Sequence, residues 1–161
     1  QNVEFKNNLA ISYSKLGSTH TSLGNLDKAL TFFEQDAQLT KELYASYPQN
    51  VGFKNGLAIS YSKLGETHTS LGNLDKALTF FEDETELFEA LYASYPQNVG
   101  FKNGLALSYQ WIGWFYESKL NQLDKAKSYY QLSKNLLVEL VEAFPAYVKF
   151  KENLDWVNAK L

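Results

Sequence analysis

Apolar residues recur along the chain with the spacing of α-helices, and the clearest case is the stretch that ends at Leu71. Its large side chains stand three or four residues apart, which places them on one helical face. These side chains are Phe53, Leu57, Tyr61, Leu64, His68 and Leu71. A second helical stripe follows and ends before Pro96, because proline cannot continue the hydrogen-bond ladder of a helix. The pattern predicts two consecutive helices, named helix A and helix B here.

The break between the two predicted helices is the dipeptide Gly72-Asn73. Glycine suits the left-handed backbone conformation that often follows a helix. Asn73 suits the N-cap of the next helix, and Asp75 adds negative charge to its first turn. The break therefore predicts a helical hairpin.

This hairpin is repeated along the chain. Residues 1–48 and 49–96 differ at about ten positions, a third and more divergent copy covers 97–145, and 146–161 again resembles the start of a helix A. Such repetition is typical of stacked hairpins, because one hairpin cannot bury its apolar face alone. We expect a single domain over 1–161. Its fold class is all-α, a right-handed α-solenoid of three helical hairpins plus a C-terminal capping helix, with seven helices.

The second copy resembles the signature of the tetratricopeptide repeat, in which a Leu-Gly pair, a turn glycine, a small residue and flanking large residues lock two antiparallel helices. The residues that carry the resemblance are Tyr61, Leu64, Gly65, His68, Gly72, Ala77 and Phe81. The first copy matches with Tyr13, Leu16, Gly17, His20, Gly24, Ala29 and Phe33, and the third more loosely with Tyr109, Ile112, Gly113, Tyr116, Ala126 and Tyr130. The period of 48 and then 49 residues exceeds the usual value of about 34. The chain is similar to a long-helix bacterial variant of the family.

The resemblance implies a scaffold for protein–protein interaction that holds a peptide or protein segment on a concave surface built by the helices A. Positions opposite the apolar stripe of each helix A are expected on that surface. They give the candidate binding residues Ser14, Ser18, Thr21, Ser62, Lys63, Glu66, Thr69, Gln110, Trp111, Trp114 and Glu117. The two tryptophans suit an aromatic anchor for a ligand, or they seal the third repeat against the terminal helix.

Two other functions stay open at this point. One is a sensor or regulatory arm of a larger bacterial signalling, NTPase or protease protein. The other is a self-associating spacer. The first copy is nearly identical to the internal second copy, so its outer side is expected to keep an interface for a neighbour, with apolar groups near Leu9 and Ile11. This predicts end-to-end self-association through the N-terminal repeat and a longer parent array.

Composition narrows the function further. The net charge of −3 disfavours a nucleic-acid partner. No apolar run approaches the roughly 18 residues of a membrane helix, so no membrane role is expected. The sequence contains no motif for a phosphate-binding loop, a metal site or a set of catalytic residues. We therefore expect neither an enzyme nor a cofactor. The absence of cysteine fits a reducing compartment and a cytoplasmic location.

Three smaller features carry expectations of their own. His20 and His68 lie in the apolar stripe and are expected to pack in the core. The acidic run 82–86 is expected to form a solvated face. Glycines at 52, 56, 100 and 104, which are Glu4 and Asn8 in the first copy, indicate either close approach of a neighbouring helix or simple sequence drift.

Overall fold

The structure is a computed structural model that describes residues 2–161, and within that range every regular element is an α-helix. The helices are α1 (Val3–Ser22), α2 (Leu26–Ser46), α3 (Val51–Ser70), α4 (Leu74–Ser94), α5 (Val99–Ser118), α6 (Leu123–Ala143) and α7 (Val148–Asn158). Helices α1, α3 and α5 are the three helices A, and α2, α4 and α6 are the helices B. The prediction of three hairpins followed by one further helix is confirmed for the described residues.

The turn inside each hairpin contains a residue with a left-handed backbone. Gly24 and Gly72 have φ values of 75° and 77°, and Asn121 takes 53° in the third hairpin. The predicted glycine cap is therefore confirmed.

Asn73 takes the predicted N-cap position directly before α4, and its carbonyl accepts from the backbone N–H of Ala77 at 3.0 Å. Its amide nitrogen lies 3.3 Å from Nδ1 of His68. The equivalent Asn25 stands at the N-cap of α2 and makes no side-chain capping hydrogen bond.

Helices A have asparagine caps of their own. The side-chain oxygen of Asn50 accepts a hydrogen bond from the backbone N–H of Phe53, and Asn98 caps Phe101 in the same way. Asn2 accepts from the N–H groups of Glu4 and Phe5. These bonds satisfy backbone donors that a helix start leaves free.

The chain divides into two compact units, Gln1–Leu87 and Phe88–Leu161. The boundary falls inside α4. The first unit holds α1, α2, α3 and the beginning of α4, and the second holds the rest of α4 with α5, α6 and α7.

The core of the first unit forms where a helix A crosses a helix B. Its buried cluster is Ala29, Phe33, Ala37 and Leu64, with Leu30, Tyr61 and Phe80 packed against it. Glycine permits the crossing, since a Cβ added at Gly65 would lie 2.7 Å from Cε1 of Phe81. A Cβ added at Gly17 would likewise lie 2.5 Å from Cε1 of Phe33. Gly17 and Gly65 therefore let the aromatic ring of helix B pack against the backbone of helix A.

Both histidines pack against an aromatic ring of the following helix B. The rings of His20 and Phe32 are stacked with centroids 5.4 Å apart, and those of His68 and Phe80 are 5.5 Å apart. Burial lowers the pKa of His68, and the positive charge of Lys76 lowers it further. The packing interpretation of the histidines is confirmed.

Helix α7 covers one end of the second unit. Phe150 and Val157 are buried, and Trp156 packs edge-on against Tyr130 with ring centroids 5.6 Å apart. Lys149, Lys151 and Glu152 are exposed on the other side of the helix. The predicted C-terminal capping helix is confirmed, and it has one buried apolar side and one exposed polar side.

The first helix differs from its internal copies in burial. Leu16 is 44% exposed, whereas Leu64 at the same place in the second repeat is 2% exposed. Leu16 is exposed because no helix of the first unit covers it, whereas residues of α2 cover Leu64. Ile11 is 46% exposed and its equivalent Ile59 is 43% exposed, so the exposure of Ile11 does not depend on a missing neighbour.

Candidate functional site

Candidate residues of α1 and α3 meet at a cavity of about 190 Å³ in the first unit. We call it the Lys63 cavity, and its lining is Ser18, Thr21, Leu26, Phe33, Lys63, Glu66, Thr67 and Ser70. Four of these residues were predicted from the sequence as Ser18, Thr21, Lys63 and Glu66. Thr67 and Ser70 were missed, although each stands four residues after a predicted member, on the same helical face.

Lys63 bridges the two helices A that form the cavity walls. Its Nζ donates to the hydroxyl of Ser18 at 2.9 Å and lies 5.2 Å from the ring centre of Phe33. The hydrogen bond and the cation–π contact hold the ammonium group in place. One wall of the cavity is therefore positively charged and fixed in geometry.

The hydroxyl groups that line the cavity donate hydrogen bonds to backbone carbonyls of their own helices. Thr21 donates to the carbonyl of Gly17 at 3.0 Å, and Thr67 donates to that of Lys63 at 2.7 Å. Ser18 and Ser70 do the same with the carbonyls four residues earlier. A hydroxyl whose hydrogen is engaged keeps acceptor lone pairs. The walls thus favour a ligand that donates hydrogen bonds.

Two carboxyl groups stand beside Ser62, next to the cavity. Ser62 hydrogen-bonds to both Glu66 and Glu84. Burial raises the pKa of Glu84 to about 8, the Ser62 hydrogen bond opposes the rise, and the negative charge of Glu66 adds to it. Partial removal of water from around the Glu66 carboxyl raises its pKa, although the side chain as a whole is exposed. The positive charge of Lys63 and the hydrogen bond with Ser62 oppose this rise.

The burial of Glu84 corrects the expectation for the acidic run 82–86. Glu84 is 4% exposed and Thr85 is also buried, so the run is not a solvated face throughout. The carboxyl oxygen Oε2 of Glu84 has no hydrogen-bond partner. Consecutive residues of a helix point in different directions, and one of the acids here points inward.

Asp36 occupies the place of Glu84 in the first repeat. It accepts hydrogen bonds from Ser60 at 2.9 Å and from Thr40 at 3.3 Å, and Ser14 also bonds to it. Burial raises the pKa of Asp36 against the effect of these bonds and of Lys63. Ser14 and Ser62 thus each form a hydrogen bond with a buried acid of helix B. Neither serine lines the Lys63 cavity.

The remaining candidates lie elsewhere. Thr69 is half-buried and donates to the carbonyl of Gly65 at 2.8 Å. In the second unit, Gln110 donates to the backbone carbonyl of Asn153 in α7 at 3.2 Å. Glu117 accepts from Lys160 and from the hydroxyl of Tyr130, both at 2.7 Å, and these bonds lower its pKa. Gln110 and Glu117 therefore attach α7 to the rest of the unit.

The tryptophans of the third repeat form a pair on α5. Their rings meet edge to face with centroids 5.8 Å apart, and Trp111 is 37% exposed. Trp114 is half-buried, and Nζ of Lys119 lies 5.4 Å from its ring centre. The third tryptophan, Trp156, packs on Tyr130.

Residues 2–161 contain no group of three or more His, Cys, Asp or Glu side chains that could hold a metal ion. None of the helices described here has both the length and the apolar character that crossing a membrane requires.

Comparison with protein families identifies the repeat. A tetratricopeptide repeat profile matches residues 9–90, slightly more than half of the chain, and a second tetratricopeptide repeat profile matches residues 106–136. The chain belongs to the tetratricopeptide repeat family. Tetratricopeptide repeats generally mediate protein–protein interactions and are typically non-catalytic scaffolds. No significant match was found among curated proteins.

Solved structures of helical-repeat proteins share the fold of this tetratricopeptide repeat chain. BtubC (BKLC) from P. vanneervenii is 17% identical, with a TM-score of 0.64 over 100% of this chain and 62% of its own. This chain thus spans less than two thirds of that protein. The de novo designed helical repeat protein DHR64 is 15% identical, with a TM-score of 0.55 over 99% of this chain and 94% of its own. At such identities the likeness shows the fold alone, an all-α solenoid.

Proposed function

We propose that the protein is an interaction scaffold that binds a peptide or protein segment on its concave helix-A surface, with the Lys63 cavity as the central contact. The observation that carries the proposal is the convergence of Ser18, Thr21, Lys63 and Glu66 from two helices A on one cavity. Tetratricopeptide repeats typically bind protein partners, which supports a polypeptide as the ligand.

The chemistry of the walls narrows the kind of segment. Hydroxyl acceptors line the cavity, and Lys63 and Glu66 place opposite charges in it. Such a wall suits a polar segment that offers N–H donors from its backbone or from an amide side chain, with Leu26 and Phe33 contacting a small apolar group.

The test uses a random 12-residue peptide library displayed on phage and selected against the full chain. The affinity of a selected peptide is then measured by fluorescence anisotropy for the wild type and for Thr21→Arg, which puts a long side chain into the Lys63 cavity. We expect Thr21→Arg to weaken binding by about tenfold or more, because a bulky cation fills the space that the peptide needs.

Ser22→Arg is the matched control. Ser22 is the next residue of α1, is exposed, donates to its own helix as Thr21 does, and does not line the cavity. It should keep wild-type affinity, and circular dichroism should show equal helicity for both variants. Selected peptides that bind Thr21→Arg and the wild type equally would show that the cavity is not the ligand site.

A further inference from the structure

The first and second repeats each bury one acid of helix B beside a serine of helix A. Asp36 bonds to Ser14 in the first repeat, and Glu84 bonds to Ser62 in the second. The two acids stand 48 residues apart at equivalent positions, and neither is more than 5% exposed. Their other neighbours differ, and the first repeat shows how the chain itself can satisfy such an acid.

Asp36 has a hydroxyl donor and a cation from the next helix A. Ser60 donates to its carboxylate at 2.9 Å. Burial raises the pKa of Asp36, and its hydrogen bonds and the positive charge of Lys63 oppose the rise. The Nζ of Lys63 also donates to Ser18 at 2.9 Å. A single ammonium group therefore acts both on the buried acid and on the side chain at position 18.

The second repeat changes two of these positions. Ser18 is replaced by Glu66, so an acceptor hydroxyl becomes a second acid. Lys63 is replaced by Trp111, so the repeat pattern supplies no lysine at the position that would follow. The second repeat therefore has one more acid than the first and lacks the equivalent ammonium group.

The carboxyl of Glu84 lacks a donor as a result. Its oxygen Oε2 is buried and has no hydrogen-bond partner within residues 2–161. The neighbours that act on its pKa are Ser62 and Glu66, and neither is positively charged. The hydroxyl of Ser62 has one hydrogen and can donate to only one carboxyl at a time. Glu66 is exposed and lines the Lys63 cavity, so a ligand in the cavity reaches one member of this acid pair directly.

We propose that Glu66 and Glu84 together bind the ammonium group of a lysine side chain in the bound segment. This lysine has the role in the second repeat that Lys63 has in the first, between the buried acid and the residue equivalent to Ser18. An ammonium group donates three hydrogen bonds, which is enough for Glu66 and for Oε2 of Glu84. The inference rests on the proposed function, because it names one side chain of the segment that the Lys63 cavity holds.

Two other cations do not suit the acid pair. Lys63 already donates to Ser18 on α1 and stands over the ring of Phe33. A metal ion needs more protein ligands, and within residues 2–161 no third His, Cys, Asp or Glu joins the pair in a group that could hold one. A cation from the ligand remains, and the charge of the pair is complementary to it.

The experiment starts from peptides of the random 12-residue library that bind the full chain and are weakened by Thr21→Arg. We expect these peptides to share a lysine at one position. Replacing that lysine by norleucine keeps the methylene chain and removes the ammonium group. Fluorescence anisotropy should show about tenfold weaker binding of the norleucine peptide.

Chain variants locate the ammonium group. Glu84→Gln should weaken the lysine peptide by a similar factor and leave the affinity of the norleucine peptide unchanged, so the two changes are coupled. Glu66→Gln should act in the same direction. Asp75→Asn removes the same charge from an exposed acid of α4 and should leave both peptides unaffected. Circular dichroism should show equal helicity for all of these variants.

The affinity of the lysine peptide should also depend on pH. Burial raises the pKa of Glu84 to about 8 in the free chain, and a bound ammonium group favours the ionised form. Binding therefore releases a proton, and affinity should rise between pH 6 and pH 8 by up to about tenfold per pH unit. The charged groups that act on the pair are the two acids themselves and Lys63. Glu84→Gln and the norleucine peptide should each remove most of the rise.

Three results would overturn the inference and leave the proposed function intact. They are cavity-dependent peptides that share no lysine, peptides with arginine at the shared position, and a lysine peptide that binds Glu84→Gln as tightly as the wild type. A library that yields no peptide sensitive to Thr21→Arg would overturn the proposed function and this inference together.

Discussion

At the scale of the residue, the burial of Glu84 makes the stability of the fold depend on pH. Its carboxyl is buried, and its pKa of about 8 lies above the ordinary value of 4.5. Between these two pH values the folded chain keeps a proton that the unfolded chain releases. The unfolded state therefore binds fewer protons, and the free energy of unfolding falls as pH rises through this window. Below and above this window, the contribution of Glu84 to the free energy of unfolding does not change with pH.

Glu84→Gln should reduce this pH dependence. The amide has nearly the same shape and no charge to bury, so the slope should decrease by up to about 1.4 kcal/mol per pH unit. In urea denaturation followed by circular dichroism, the variant should match the wild type near pH 4.5 and be more stable near pH 8. Asp75→Asn, at an exposed acid of the same helix, is the control and should keep the wild-type slope. Equal slopes for Glu84→Gln and the wild type would contradict a buried neutral Glu84.

At the scale of the element, the crossing of helices A and B depends on glycine. Gly65 leaves room for the ring of Phe81, as Gly17 does for Phe33. In an isolated helix, alanine is more favourable than glycine by about 1 kcal/mol. At this crossing the preference should be reversed, because the added Cβ would stand 2.7 Å from Phe81.

Gly65→Ala should therefore destabilise the chain by about 1–3 kcal/mol in spite of its better helix propensity. A smaller side chain on the facing helix should relieve the contact. Phe81→Leu alone leaves a cavity, but combined with Gly65→Ala it should cost less than the sum of the two single changes. A double-mutant cycle by denaturant unfolding measures this coupling, and simple additivity of the two changes would argue against the close contact.

The elements could be predicted from the sequence, and the candidate site only in part. Apolar spacing and the Gly72-Asn73 turn are local signals, so helix bounds follow from neighbouring residues. The Lys63 cavity also needs Leu26 and Phe33, which come from α2 and read as core residues. Leu16 and Leu64 carry the same local signal, and only the helix packed beside Leu64 makes their burial differ.

At the scale of the whole molecule, the two units share one helix. Phe81, on the first part of α4, packs against Gly65 in the first unit, and Phe88, on the second part, packs against Gly104 in the second unit. Melting of α4 would therefore remove a core aromatic residue from each unit. In repeat proteins such nearest-neighbour interactions couple the unfolding of adjacent repeats.

We predict that the two units unfold together. All three tryptophans, Trp111, Trp114 and Trp156, belong to the second unit, so their fluorescence reports that unit, whereas far-ultraviolet circular dichroism reports every helix. The two denaturant transitions should coincide in the wild type. Gly65→Ala, which lies in the first unit, should shift the tryptophan transition as well as the circular dichroism transition. If only the circular dichroism transition moved, the units would be independent and the chain would contain two folding domains, because the strain at Gly65 would then stay within residues 1–87.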